Sequence, residues 1–469
     1  MTQVKSKQRI ADHGEVFTSE REVKAMLDLL GNEIVNISTR FLEPACGDGN
    51  FLVEILNRKL SAVEAKCQFE KDKYEQNAFI AISTLYGIEL LSDNVQVCRE
   101  RLFQIFDKQY TRLFSSQSNN YYRNTIQHLI EKNIILGNAL NKASIFFSDM
   151  KFDVIIGNPP YQLSDEGHGK SAKPIYDKFV LQAKKLNPRY LIMIIPSRWF
   201  AGGKGLDEFR QEMLNDQRMK KLVDFWDARD CFPNVDIAGG VCYFLWDREY
   251  LGACEVTCRH KDKTTTSLRQ LNEFETFVRF DLAAQIIKKI QKVREPDMSV
   301  QVSSRKPFGL GTNQRPTGQG TLMLLSAKEK GKIERSSVTA GEKYIDHWKV
   351  ITSKTSYDHA GQPNAEGKRR VLSKLMILPP SFVCTETYII VGSFSDEQQA
   401  ENLVKYMKTK FVRFLISQRS FSQDITKARF AFVPQQDYTQ KWTDETLYKK
   451  YKLSEEEIEF IESMIRPMD

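Results

Sequence analysis

The sequence predicts an α/β protein: a doubly wound, Rossmann-like sheet followed by a C-terminal domain of mixed α+β character. Three observations carry this expectation. Through about residue 250, short apolar runs of strand character alternate with amphipathic helical stretches, the pattern of a parallel sheet covered on both faces. Several of these runs end abruptly in polar or glycine-rich corners, as strands do when their carboxyl ends line a ligand crevice. Beyond about residue 260 the alternation gives way to short strands, helices and loops carrying Gly, Ser, Thr, Lys and Arg.

The elements follow in order. "EREVKAMLDLL" (20–30) places Val23, Met26, Leu27 and Leu30 on one helical face. The strand-like "STRFLEP" (38–44) runs into "ACGDGNFLVEILNRKL", in which Phe51, Leu52, Ile55 and Leu56 recur at helical spacing. The charged stretch 61–80 reads as a helical insertion on the surface. "AFIAISTLYGIEL" (78–90) reads as a strand ending in an acid, and "LSDNVQVCRERLFQIF" as the next helix. "KNIILGNAL" (132–140) and "FDVIIGNPPY" (152–161) are further strands with polar ends. An amphipathic helix at 175–186, a strand at 189–200 and a helix at 204–214 lead to "KLVDFWDA" and "GGVCYFLWDRE", a closing pair of strands. A chain of 469 residues exceeds what one core usually holds. A domain boundary is expected between about 248 and 285, and we divide the chain into 1–255 and 256–469.

Composition excludes several classes. Apolar residues make up 41% and charged residues 27%, as in ordinary globular proteins. The formal net charge of +8 is mildly basic, which suits a nucleic-acid partner without requiring one. Eight scattered cysteines show no disulfide framework, and a reducing compartment fits best. The polar start "MTQVKSKQRIADHGEVFTSE" lacks the apolar core of a signal peptide. The longest apolar run, "YLIMIIP" (190–196), has the length of a buried strand, far from the roughly 20 residues of a membrane helix. A cytoplasmic protein without membrane association is expected.

Two corners suggest a cofactor. "EPACGDGNF" (43–51) is a strand, a glycine turn and a helix start. Gly47 and Gly49 allow a ligand to approach the backbone closely, and the helix that follows offers free N–H groups. The spacing is neither the dinucleotide fingerprint nor a P-loop, so an ordinary tight turn is the plain alternative. Glu89 tips the balance. "YGIEL" ends the next strand with a carboxylate, which can accept both hydroxyls of a ribose. A ribose acid without a pyrophosphate fingerprint points to a nucleoside cofactor lacking phosphates, and S-adenosylmethionine fits.

The third corner, "DVIIGNPPYQ" (153–162), is an apolar strand stopped by Asn158, Pro159 and Pro160 and followed by Tyr161. Prolines cannot donate ladder hydrogen bonds, so a simple strand terminator is possible here too. Taken together, these motifs resemble the adenine-N6 DNA methyltransferases of bacterial restriction-modification systems, in the gamma order. "EPACGDGNF" is similar to their cofactor motif, "NPPY" to their catalytic motif, and "GEVFTSEREVKAML" (14–27) to the segment that precedes the cofactor motif. The resemblance covers about residues 14–250, and more faintly the rest, including the ending "LYKKYKLSEEEIEFIESMI". It implies a methyltransferase sheet over 1–255 and a DNA target-recognition domain over 256–469.

The resemblance also assigns residues. Cofactor contacts are implied for Phe17 and Thr18, for Glu43, Pro44, Ala45, Cys46, Gly47 and Gly49, and for Glu89 and Leu90. The family's third motif often has an acid after Gly. Here "GNAL" places Asn138 there, followed by Ala139, and an amide can also accept from an amine. Asn158 borders both cofactor and substrate. "CFPNVDIAGGVCYFLW" resembles the place where family members present an aromatic ring to a flipped base, with Phe232 as the matching residue.

The chemistry of the third corner follows from its residue types. The exocyclic amine of adenine is a poor nucleophile because its lone pair is delocalised. Two acceptors, the Asn158 side-chain oxygen and the Pro159 carbonyl, can draw both N–H groups and push the nitrogen toward tetrahedral geometry. Consecutive prolines fix φ and remove competing donors, and Tyr161 offers a face for stacking. The same corner would serve an RNA or a protein amide, so it does not choose the substrate.

The C-terminal half speaks for DNA. "SSRKPFGLGTNQRPTG" (303–318), "AEGKRRVLSK" (365–374) and Arg413, Arg419 and Arg429 among aromatics (411–430) supply phosphate and base-edge chemistry, with a solvated basic surface as the plain alternative. Cys254-x3-Cys258-x-His260 is poorly spaced for a closed zinc site, and we expect strand cysteines and no metal. No acid–acid–Lys nuclease cluster is evident. The expectation is a monomeric, site-specific DNA adenine methyltransferase using S-adenosylmethionine, acting on double-stranded DNA beside a separate endonuclease. The alternatives are a methyltransferase of RNA or protein amides, or an inactive DNA-specificity subunit.

Overall fold

The computed structural model describes residues 9, 16–67, 70–115, 119–141, 150–162, 173–203, 205–233, 235, 237–260, 263–358, 363–364, 366–420 and 423–468. They form two compact units, Met1–Phe277 and Val278–Asp469. All eight cysteines are free and buried. Among the described residues, no helix is long and apolar enough to cross a membrane.

The first unit is built on a nine-stranded sheet. Its elements are α1 (Glu20–Asp28), β1 (Phe41–Glu43), α2 (Asn50–Cys67), α3 (Lys71–Ser83), β2 (Leu85–Glu89), α4 (Ser92–Phe114), α5 (Asn120–Asn133), β3 (Ile134–Leu136) and β4 (Val154–Gly157). There follow α6 (Tyr176–Lys185), β5 (Tyr190–Pro196), α7 (Asp207–Asn215), β6 (Met219–Phe225), β7 (Val241–Asp247), β8 (Cys254–His260) and β9 (Lys263–Arg269). The strand order is β3-β2-β1-β4-β5-β7-β6-β8-β9. Strands β1 to β5 are mutually parallel. β7 runs antiparallel to both β5 and β6, and β9 antiparallel to β8. The sheet is therefore parallel-rich and mixed. The order reverses beside β1, between β2 and β4, and such a switch point opens a crevice at the carboxyl ends of those strands.

In the elements of the first unit the structure departs from the sequence expectations as follows. The sheet does not close at β7: β8 pairs with β6 and β9 with β8, so the compact unit runs past residue 255 to Phe277, within the expected boundary range of 248–285. The stretch 61–80 is no surface appendage. Its described residues lie almost wholly in α2 and α3, whose Leu60, Val63, Tyr74 and Ala78 are buried in the core. The strand expected over 78–90 is only Leu85–Glu89, because Ala78–Ser83 completes α3. Helix α5 has no counterpart in the sequence reading. It is started by Asn119, whose side chain accepts from the backbone N–H groups of Tyr121 and Tyr122.

The second unit holds two three-stranded sheets with helices. β10 (Leu322–Leu325) lies between β11 (Lys330–Ile333) and β14 (Phe382–Cys384), and β12 (Trp348–Ser353) between β13 (Leu375–Leu378) and β15 (Tyr388–Phe394). Phe308, Leu324, Ile351, Val383 and Ile390 share one core cluster. The helices are α8 (Asp281–Lys292), α9 (Glu397–Lys408), α10 (Lys410–Ser417), α11 (Asp444–Lys450) and α12 (Glu455–Met464). The three arginines expected on a DNA surface within 411–430 are buried: Arg413 is 1% exposed, Arg419 6% and Arg429 8%. The Arg413 guanidinium donates to the carbonyls of Lys408, Thr409, Arg370 and Arg466, so its role is internal. Cys254 and Cys258 are buried strand residues, and the Cys258 thiol donates to Asp224.

Candidate active site

The three polar corners converge as the fold requires. β1, β2 and β4 are adjacent parallel strands, so Glu43, Glu89 and Asn158 emerge at the same end of the sheet. The backbone N–H of Cys46 donates to the carbonyl of Ile88 at 3.0 Å, drawing the first corner onto β2. The N–H of Gly137 donates to the carbonyl of Glu89 at 2.8 Å, drawing the corner after β3 to the same place.

The glycine turn is tight for definite reasons. Gly47 has φ +53° and Gly49 φ +86°, the left-handed region in which side chains are strained. A Cβ on Gly49 would lie 2.6 Å from Cys98 Sγ, and one on Gly47 would lie 2.9 Å from the Phe17 ring. Arg101 pins the start of α2 by donating to the Asp48 carbonyl at 2.6 Å and to Asn50 Oδ1 at 2.9 Å. Asn50 in turn donates to the Thr18 carbonyl at 3.0 Å.

These elements enclose a cavity of about 210 Å³. Of the residues expected to hold a cofactor, Phe17, Thr18, Glu43, Pro44, Ala45 and Cys46 line it. So do Gly47, Glu89, Leu90, Asn138, Ala139 and Asn158. Gly49 does not; its work is to let α4 approach the turn. Asn50, Asn94 and Gly137 also line the cavity, as do Ile175 and Phe179 from around α6. The sequence reading missed these, since only the sheet order brings α6 against the switch point.

The chemistry of the cavity lies in its buried acceptors. Glu89 accepts from the N–H of Gly47 at 2.8 Å, from that of Leu91 at 2.9 Å and from the Asn94 amide at 3.4 Å. Its carboxylate is thus oriented by the backbone. Glu43 is 2% exposed and its Oε2 has no hydrogen-bond partner. Burial, with Cys98, Asp48 and Glu89 nearby, pushes its carboxyl well above the usual range. A hydrogen bond with Cys98, together with burial, likewise holds the Cys46 thiol in its protonated form. Thr18 Oγ1 is buried without a partner.

At the third corner the Asn158 amide donates through Nδ2 to the carbonyl of Val16 at 2.9 Å. That bond sets the amide's orientation and leaves Oδ1, buried and unpartnered, as an acceptor. Pro160 lines the cavity as well; Pro159, Tyr161 and Phe232 do not. Tyr161 packs edge-on to Phe232, with ring centroids 6.5 Å apart at 77°, and to Tyr176 at 6.5 Å and 83°. Phe232 is 0% exposed. Its N–H donates to the Ala228 carbonyl at 2.8 Å, and its ring belongs to the core cluster with Val241 and Tyr243. The ring expected to meet a base is therefore buried, edge-on to Tyr161.

Known proteins resemble this part of the chain. Residues 83–232 match the model of the Eco57I restriction-modification methylase family; that stretch includes Glu89, the 158–161 corner and Phe232. Over 176 residues the chain is 36% identical to an uncharacterized adenine-specific methylase of Mycoplasma pneumoniae, covering 34% of this chain and 42% of that one. Over 256 residues it is 29% identical to the type II methyltransferase M.BstVI of Geobacillus stearothermophilus, covering 51% and 43%. The aligned stretch thus spans less than half the length of either curated relative. The fold is shared with the type IIL restriction-modification enzyme MmeI, solved in complex with DNA, at a TM-score of 0.55 and 12% identity over 91% of this chain and 69% of that one.

Proposed function

We propose that the chain is a site-specific DNA methyltransferase that transfers a methyl group from S-adenosylmethionine to N6 of an adenine flipped out of duplex DNA. The observation that carries this reading is the unpartnered Asn158 Oδ1, an acceptor buried at the carboxyl end of β4 and fixed by the Val16 carbonyl. Buried acceptors are normally satisfied, and one left open beside a cavity awaits a donor. An exocyclic amine is such a donor. The adenine-specific and type II names of the relatives support the same choice of substrate.

The cavity suits the cofactor. Glu89 is oriented to accept from ribose hydroxyls, and Thr18 Oγ1 and Glu43 Oε2 offer further buried acceptors. The absence of a Cβ at Gly47 lets the Phe17 ring pack against the turn, and both residues line the cavity. When bound, S-adenosylmethionine supplies a methyl group already activated by a sulfonium centre, so no covalent enzyme intermediate is needed. Asn158 Oδ1 and the Pro159 carbonyl accept from the two amine hydrogens and localise the lone pair on N6. Extruding the base costs a few kcal/mol. Stacking on Tyr161 offsets this by roughly 1–3 kcal/mol, with Phe232 supporting that ring edge-on.

The second unit reads as the target-recognition domain, with 256–277 serving the sheet of the first. A monomer working in the cytoplasm beside a separate restriction endonuclease completes the proposal, and the eight free thiols support that compartment. The test is incubation with methyl-labelled cofactor and a cell extract containing DNA, RNA and protein, followed by separation of the three and digestion of the nucleic acids to nucleosides. Label in N6-methyldeoxyadenosine is expected. Label found only in RNA or protein would overturn the choice of substrate.

A further inference from the structure

The second unit carries an exposed aromatic ring with two guanidinium groups against it. Tyr357 is 52% exposed. Arg370 lies 4.4 Å and Arg466 4.8 Å from its ring centroid. Neither arginine is paired with a carboxylate among the described residues. The Nε of Arg370 is buried without a hydrogen-bond partner.

The backbone beneath this cluster is clamped. Asp358, 8% exposed, accepts from the N–H of Arg370 at 3.0 Å and from that of Val371 at 2.7 Å. Val371 is held at φ +72°, a conformation that β-branched residues rarely adopt and that tends to persist where surrounding structure needs it. Ser356 Oγ adds a bond to the Val371 carbonyl at 2.7 Å. From below, buried Arg413 donates to the carbonyls of both Arg370 and Arg466 at 3.2 and 2.8 Å. The N–H of Arg466 donates to the Arg369 carbonyl at 3.0 Å. The two arginines are therefore fixed to one another through the main chain.

We infer that Tyr357, Arg370 and Arg466 form a DNA contact in which Arg370 reads the major-groove edge of a guanine. A guanidinium stacked on a ring keeps its planar fork of N–H groups intact. That fork matches a pair of acceptors, either guanine O6 and N7 or two phosphate oxygens. A phosphate contact tolerates a loosely held side chain. Clamping the main chain of Arg370 at a strained neighbour is the arrangement that a fixed base edge requires. The inference rests on the DNA reading above and adds to it a specificity-determining residue.

The experiment is methylation-sensitive sequencing of DNA from cells expressing the wild-type chain, Arg370→Ala or Arg370→Gln. Thermal melting and cofactor binding would be measured on each purified protein. We expect a wild-type motif containing a guanine whose preference falls roughly ten-fold in Arg370→Ala. In Arg370→Gln the preference at that same position shifts toward adenine, since glutamine matches the adenine edge. An unchanged motif in a folded variant overturns the inference. So does a uniform loss at all sites, which would make Arg370 a phosphate contact. If Arg370→Ala does not fold, Arg370→Gln alone decides between these outcomes, and Tyr357→Ala is expected to weaken the same position. A wild-type chain that methylates no DNA ends both the inference and the reading beneath it, whereas folded variants that methylate DNA at the unchanged wild-type motif end only the inference.

Discussion

Asn158 in the first unit and Arg413 in the second are both polar groups held by main-chain carbonyls, yet they end differently. Asn158 uses one side of its amide on the Val16 carbonyl and leaves Oδ1 open. Arg413 places its guanidinium on four carbonyls. Lys349, also in the second unit, follows Arg413. It is 0% exposed and donates to the carbonyls of Ile345 and Pro379, both at 2.9 Å. The difference separates binding from building. A buried group satisfied by its own chain holds the fold, whereas open acceptors gathered round one cavity, as with Thr18, Glu43 and Asn158, await a ligand.

Three substitutions would break or sharpen that contrast, in decreasing order of effect. Arg413→Leu strips partners from several buried carbonyls and should cost about 3 kcal/mol or more, read as a large drop in melting temperature. A small drop would mean that the guanidinium holds little. Gly49→Ala forces a Cβ into Cys98 Sγ at 2.6 Å and at φ +86°, with an expected cost of about 1–3 kcal/mol and weakened cofactor binding. Normal binding would show that the turn can shift. Glu43→Gln concerns the open acceptors directly. Because the carboxyl of the free protein titrates above its ordinary range, ionising it disfavours the fold. Its stability is fully present below the unfolded-state value and is lost as pH rises toward the folded one. A cationic cofactor favours the ionised form, so affinity should rise with pH over the same window and binding should release a proton. Glu43→Gln should therefore stabilise the free protein at neutral pH, reduce affinity about ten-fold and flatten its pH dependence, all measurable by calorimetry. A pH dependence that persists in the variant would assign it to another group.

These contrasts were only partly visible in the sequence. The apolar runs and their polar ends marked β1, β2, β4 and β5, and the residue types at 158–161 alone suggested an amine site. The sheet order was not, so Phe179 and Ile175 could not be placed in the cavity. The Val16 carbonyl that orients Asn158 lies 142 residues away in the chain. Arg413, Arg419 and Arg429 looked like surface charge because a sequence does not show which carbonyls a buried guanidinium meets. Phe232 was expected to face a base from its place in a motif, but its burial depends on its packing with Val241 and Tyr243 in the core, which the sequence does not show. The helical run 71–83 was misread because its charges concealed an apolar face of Tyr74, Ala78 and Ala81.

The central claim is that the open acceptor of Asn158 serves the methyl transfer and not the binding of the cofactor. Single-turnover methyl transfer to DNA, with cofactor affinity measured by calorimetry on the same Asn158→Ala preparation, tests it most directly. We predict a rate lowered by about 10²–10³-fold or more with affinity within a few-fold of wild type. A rate near wild type, or equal losses in rate and affinity, would contradict it.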